Sequence, residues 1–187
     1  MLSPSDFIQP RNSKMLVGEV YFWTNTVKDW KLLLRSDKYK ELIIYTWRVL
    51  VLKELISVYG FVIMPNHLHV VWGMLAKNGK EMPYASFNKA SGHLIVKDLK
   101  HNHPMTLNHF KVDEQEREYR IWQRDPLAIL MDSKEKVEQK LEYTHNNPLQ
   151  EHWQLADRPE DYFWSSAKFY EDGEDQFGFL TDYRERY

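Results

Sequence analysis

Hydrophobic and polar positions alternate or recur along most of the chain, and the two periods predict its regular elements. Residues 17–27 are rich in β-branched and aromatic side chains (Val20, Tyr21, Phe22, Trp23, Thr24, Thr26), the composition of a strand. Residues 29–40 are charged and aliphatic and predict two short helical pieces. In 39–55, Leu42, Ile43, Tyr45, Thr46, Val49, Leu50 and Lys53 fall at helical spacing. Residues 56–64 predict a second strand, Pro65-Asn66 a tight connection, and 67–74 a third strand antiparallel to the second. A turn at 77–80 leads to a helix over 84–100, with Phe87, Leu94, Ile95 and Leu99 as its buried stripe. Residues 100–109 read as a polar loop around Pro104. Residues 118–124 alternate and predict a fourth strand. Ser133 is placed to cap a third helix, with Glu135 and Lys136 in its first turn; Pro148 stops it near Asn146 or Asn147.

Strand, helix, strand, strand, helix, strand is the order of the split βαβ unit. The expected class is therefore α+β: a ferredoxin-like central antiparallel sheet with an added C-terminal helix that bears Tyr143. A single domain is expected, with a core over about 17–150, an N-terminal arm at 1–16 and a tail at 151–187 packed on the core.

Composition narrows the chemistry. The 187 residues include no cysteine, so disulfides and thiolate metal sites are excluded and any metal must use His, Asp, Glu, Asn or Gln. The first residues lack the pattern of a signal peptide, and the apolar stretch 42–64 is interrupted by Arg48, Lys53 and Glu54, so no membrane partner is expected and the location expected is cytoplasmic. Net charge is −2, but unevenly spread: residues 1–112 carry 15 basic against 8 acidic side chains (+7), residues 113–187 carry 10 against 19 (−9). Such a split suggests a basic face able to meet phosphates, unless the charges interleave in space.

His67 and His69 open the third strand. A period of two points both imidazoles to one sheet face, roughly 6.5–7 Å apart along the strand, while Leu68, Val70 and Trp72 point to the other. Two such rings can converge on one metal ion or one phosphate; two ordinary sheet-surface histidines are the plainer alternative. On the third helix, Val137, Leu141, Thr144 and Pro148 share one side, and Lys136, Lys140, Tyr143 and Asn147 share a polar stripe about 100° away. Lysines beside a phenol favour the phenolate and attract phosphate. Asn147, one turn from Tyr143, offers an oxygen to a metal held by His67 and His69.

Gly60-Phe61-Val62-Ile63-Met64-Pro65-Asn66-His67-Leu68-His69 resembles the His-hydrophobic-His motif of the single-tyrosine (HUH) transposases. Tyr143-Thr144-His145-Asn146-Asn147-Pro148 resembles their tyrosine helix, and residues 159–167 a later segment of the REP-associated, IS200-like branch. The resemblance spans roughly 17–170; the slightly acidic composition and the segment 100–113 depart from it. It implies a divalent cation, Mg²⁺ or Mn²⁺, on His67, His69 and a third side chain: Asn147 by position, with His145 or Asn146 as alternatives. It implies that Tyr143 attacks a phosphodiester of single-stranded DNA near a hairpin, giving a 5′-phosphotyrosine and a free 3′-OH, so the substrate partner is single-stranded DNA with hairpin elements. Monomer and homodimer both remain open, since some members of the wider class form dimers in which the tyrosine helix serves the neighbour's histidines. Because a ligating histidine must be neutral, metal occupancy is expected to fall as pH drops through about 6.5.

Lys89, Lys97, Lys136, Lys140, Arg120 and Arg124 are the candidate DNA contacts, or else ordinary wet surface. Trp122, Trp153 and Trp164 can stack on unpaired bases but more often pack in cores. His101-Asn102-His103 lies in the expected polar loop and reads as surface. Two other functions compete: a non-catalytic single-stranded nucleic-acid-binding module on a ferredoxin-like fold, and a metal-dependent phosphodiesterase in which water attacks.

Overall fold

The computed structural model describes residues 14–115, 117–124 and 126–187; most of the expected N-terminal arm lies outside them. Four strands build the central antiparallel sheet: β1 (Val20–Thr26), β2 (Ile56–Ile63), β3 (His67–Met74) and, after a separate hairpin of β4 (Lys111–Glu114) and β5 (Arg117–Tyr119), β6 (Leu127–Leu130). Their order is β2-β3-β1-β6, every neighbouring pair antiparallel, as the split βαβ reading expects. The β2–β3 turn is closed by Met64 N–H donating to His67 O at 2.8 Å, which leaves Pro65-Asn66 at its tip.

Alternation sorts the side chains onto two faces. Trp23 from β1, Phe61 and Ile63 from β2, and Leu68, Val70 and Trp72 from β3 are buried on one face. Helices α1 (Asp37–Leu52) and α2 (Pro83–Asn102) cover it, with Trp23 stacked on Trp72 at 4.8 Å and Trp47 on Phe87 at 5.5 Å. Helix α4 (Lys134–Asn146), after a short α3 (Pro104–Leu107), covers the opposite face through Val137 and Leu141 against Val20, Phe22 and Val71. Ser133 caps it as expected: its Oγ accepts from Lys136 N–H, at a long 3.4 Å.

Gly60 sets the distance between sheet and helix. A methyl there would lie 2.3 Å from Leu141 Cδ2 and 3.1 Å from Ser166 Oγ, so a larger residue would force the Leu141 side chain to shift. The C-terminal segment, including α5 (Ala167–Asp172), covers the free edge of β2: Ile63 N–H donates to Trp164 O (2.9 Å), Ser166 N–H to Phe61 O (3.0 Å) and Thr181 N–H to Val58 O (2.9 Å). Phe177 and Phe179 then pack on Phe61. At the far end Arg186 donates to Gly18 O (2.6 Å) and Tyr187 to Met131 O (2.5 Å).

Two expected elements differ. The fourth strand of the sheet is β6, not 118–124. Arg117–Tyr119 pairs with β4 instead, and beyond it Trp122 makes only an isolated bridge to Val27 before the chain joins β1 along Leu127–Leu130. The ladder there follows the apolar run Leu-Ala-Ile-Leu, which is too short to show alternation. Residues 100–109 are not a loop either: α2 runs on to Asn102, and α3 and a further turn at Asn108–Phe110 follow, anchored by buried Leu107 and Phe110. Along α2 it is Ser91 rather than Leu94 that completes the buried stripe, with its Oγ accepting from Trp122 Nε1 at 2.9 Å. Among the described residues no helix is long and apolar enough to cross a membrane.

Candidate functional site

His67 and His69 lie on the α4 face of β3, 8% and 5% exposed, with ring centroids 4.8 Å apart. Each ring is fixed through its Nδ1. Thr24, opposite His69 in the β1–β3 register, places Oγ1 2.8 Å from His69 Nδ1. Asn66 Oδ1 lies 2.7 Å from His67 Nδ1. Phe22 stacks on the His69 ring at 5.3 Å. Such partners orient imidazoles and leave Nε2 for a ligand. Burial lowers the His67 pKa to about 4, helped by nearby His152 and opposed by the Asn147 amide. Burial, with His67 and Lys140 close by, lowers His69 to about 3. Both rings are therefore neutral, the ligating form, over the whole neutral range.

The tyrosine helix brings its polar stripe to these rings. Tyr143 is 48% exposed, and its ring centroid lies 5.2 Å from that of His69 in the same chain and 6.0 Å from that of Phe22. Lys140 Nζ stands over both Phe22 (4.9 Å) and Tyr143 (5.4 Å). Asn147, one turn beyond, is buried rather than wet. It is 6% exposed because the chain leaves the helix there in a tight turn with Pro148.

Two buried polar atoms at this point have no hydrogen-bond partner: His69 Nε2 and Asn147 Oδ1. A buried polar atom left unpaired is costly, and an imidazole nitrogen and an amide oxygen of two residues that both neighbour His67 suit a bound cation. The donor set of two imidazoles and one amide oxygen, without thiolate, fits a divalent ion that keeps water or phosphate oxygens in its remaining positions. No cluster of three His, Asp or Glu side chains is found among the described residues. The alternatives for that place point elsewhere. His145 turns to Ser166, with Nε2 2.9 Å from its Oγ, and burial lowers its pKa to about 4. Asn146 Nδ2 donates to Glu142 O at 2.9 Å.

The basic candidates do not all gather here. Lys140 is in the site; Lys136 is one turn earlier on α4, tied to Asp132 at 2.6 Å. Lys89 and Lys97 stand on α2, across the sheet from the histidines, and Lys89 is paired with Glu81 at 2.9 Å. Arg120 and Arg124 lie beyond β5 instead of on the sheet, and both pair with Glu114, Arg124 at 3.0 Å. Trp122 is core, packed on Phe87. Trp164 is buried and donates to Asp37 Oδ1 at 2.9 Å. Trp153 does reach the site, 6.1 Å from the His67 ring.

Sequence reasoning missed Thr24, Asn66 and Trp30. Thr24 follows only from the cross-strand register. Asn66 adjoins the motif, but its role depends on the turn. Trp30, 58% exposed, lies 6.3 Å from His67; an aromatic between two lysines just after β1 was its available signal.

No protein-family model matches the chain, and no curated protein matches it by sequence. Among solved structures, the chain is similar to a REP-associated tyrosine transposase bound to a REP hairpin, with a TM-score of 0.62 and 14% identity, over 94% of this chain and 93% of that one. At that identity the likeness is one of architecture: this chain has the fold of a REP-associated tyrosine transposase.

Proposed function

We propose that the protein is a metal-dependent nickase and strand transferase acting on single-stranded DNA beside hairpins, with Tyr143 as nucleophile. The observation that carries this reading is a half-exposed tyrosine 5.2 Å from a buried, neutral histidine pair of its own chain. The neighbour in fold is itself bound to a REP hairpin, which supports a hairpin-bearing substrate. A pure binding module has no use for a phenol aimed beside two unsolvated imidazoles.

His67, His69 and Asn147 would hold Mg²⁺ or Mn²⁺, which when bound supplies charge neutralisation at a phosphate oxygen. The chain's own groups do the rest. Thr24 orients the His69 ring, and Asn66 Oδ1, which can only accept, orients His67 and keeps the proton on its Nδ1. Phe22 and the Tyr143 ring wall His69 from water. Lys140 places its ammonium over the Tyr143 ring, where it attracts the phosphodiester. The Tyr143 phenol gives up its proton as its oxygen bonds to phosphorus. The bond from phosphorus to the 3′ oxygen breaks, and that oxygen takes a proton to become a free 3′-OH. The phosphotyrosine keeps the bond energy, so the step reverses or transfers without ATP.

The test is a pool of hairpin oligonucleotides with randomised single-stranded flanks, incubated with Mn²⁺ and separated under denaturing conditions. Wild type should give a covalent band carrying the 3′-side label, and the 5′-side product should run free. Tyr143→Phe should bind the pool within about twofold and give no covalent band; its stability should change by no more than about 1 kcal/mol, because Tyr143 is half-exposed. Cleavage by Tyr143→Phe would make water the nucleophile. Binding without cleavage by either protein would favour the non-catalytic module.

A further inference from the structure

Directly after β1 the backbone enters the left-handed region at two successive non-glycine residues, Asp29 and Trp30, both at φ 55°. Side chains disfavour this conformation, so it persists only where surrounding structure enforces it, and such places cluster at binding sites. Here it holds the indole of Trp30 out into solvent, 58% exposed, rather than letting it fold onto the core. The turn is tied to the histidine motif. Val27 N–H donates to Asn66 O (2.8 Å), and Asn66 Nδ2 reaches Trp30 O (3.4 Å). The other end of the same amide, Asn66 Oδ1, meets His67 Nδ1. One asparagine thus fixes both the His67 ring and the backbone that carries Trp30.

The residues that follow continue a surface of the same character. Lys31 and Leu32 open a groove of about 440 Å³ lined also by Leu33, Thr106, His109 and Phe110. It is mostly apolar with cationic or polar groups at its rim, and its volume lies at the small-ligand end of binding clefts. Leu32 is itself exposed. An outward aromatic face, a lysine beside it that also meets Asp29 at 3.7 Å, and an apolar groove opened by the next residues of the chain offer the chemistry that holds an unpaired nucleotide: stacking for the base, charge for the phosphate.

We propose that Trp30 is a stacking platform for an unpaired base flanking the phosphodiester at the histidine pair, with the Lys31–Phe110 groove taking the next nucleotide. This rests on the reading of the site as acting on single-stranded DNA, and it assigns Trp30 a positioning role: it holds the strand beside the reacting groups without taking part in bond exchange. Splaying one base onto the indole brings its phosphate towards His67, 6.3 Å from the ring. Stacking tolerates any base, so Trp30 contributes grip and position rather than sequence choice.

The experiment compares two probes: a hairpin with an eight-nucleotide randomised single-stranded flank, and the same hairpin whose flank carries abasic residues. Binding is read by fluorescence anisotropy without metal, so that no cleavage intervenes. Wild type should prefer the base-bearing flank by about 5- to 150-fold, the range for one stacked base. Trp30→Leu, which keeps apolar bulk but has no π face, should lose at least fivefold of that preference; Trp30→Phe should keep most of it. Wild type indifferent to the bases, or Trp30→Leu as discriminating as wild type, overturns the proposal. Tyr143→Phe separates the two ideas: it should discriminate fully while forming no covalent product. Loss of Trp30 discrimination with Tyr143 inert to every substrate would leave the platform standing and remove the enzyme reading.

Discussion

At the residue scale, two buried histidines and the partly buried His145 make the folded chain sensitive to acid. Burial lowers His67 to about 4, His69 to about 3 and His145 to about 4, all from an unfolded value near 6.5. Below that unfolded value the unfolded chain binds protons that the folded chain refuses. The stability these rings contribute is therefore complete above about pH 6.5 and is lost as pH falls towards the folded values, at up to about 1.4 kcal/mol per unit for each ring. Urea denaturation from about pH 8 to about pH 5 should show a plateau and then a steep fall beginning near 6.5. A flat profile would mean the rings are solvated. Metal binding changes accordingly. The decline through 6.5 expected from the motif alone moves to lower pH, because the folded rings stay neutral there; over about pH 5.5–8 their protonation should leave Mn²⁺ affinity level.

At the element scale, the sheet and α4 are held at a spacing that one glycine sets. In Gly60→Ala the new methyl meets Leu141 Cδ2 in a closed interior, and overpacking of this kind costs about 1–3 kcal/mol. Leu141→Ala alone should cost about 2–5 kcal/mol through the void it leaves. In the double variant the added methyl fills part of that void, so the loss should fall short of the sum of the two. Denaturant melts of the three variants decide it, and strict additivity would mean that Gly60 and Leu141 do not share the space. Elements of this kind were legible in the sequence where a period ran long enough. The strand bearing the histidines is a run rich in β-branched and aromatic residues bounded by the Pro65-Asn66 turn, and α4 shows its stripe, cap and stop. β6 was hidden because four consecutive apolar residues have no period, whereas 118–124 alternates without joining the sheet ladder. The site divides along the same line. His67, His69, Tyr143 and the stripe of Lys140 and Asn147 follow from local spacing. Thr24 depends on register across strands, and Trp30 on a left-handed backbone that no propensity for tryptophan suggests. The lysines of α2 could not be placed from their own helix, because which side of a sheet a helix covers belongs to the topology.

At the scale of the whole molecule, Tyr143 and His69 meet within one chain, and the proposed function read on that geometry needs no second copy. Mixing Tyr143→Phe with a His67→Ala, His69→Ala protein, each inactive alone, should restore no covalent product. Each such chain lacks one half of the machinery, and neither can lend it. Recovery of about a quarter to a half of wild-type yield would mean that helices exchange between copies, as expected for domain-swapped assemblies. The charge split of the sequence has a related outcome in three dimensions. Much of the expected basic face is spent on neighbouring carboxylates, Lys89 on Glu81, Lys136 on Asp132, Arg120 and Arg124 on Glu114, leaving Lys140 as the candidate cation placed at the site.

The contact of Arg186 with Gly18 brings residues 168 positions apart to within one hydrogen bond. A flexible linker joining the backbone near Arg186 to that near Gly18 would turn the segment between them into a ring. Fresh ends could then be cut at the exposed turn around Asn78 and Gly79, on a connection that carries none of the site residues. The order in which strands and helices leave the ribosome would change while the arrangement of histidines, tyrosine and tryptophan stayed the same, making connectivity a variable separable from catalysis.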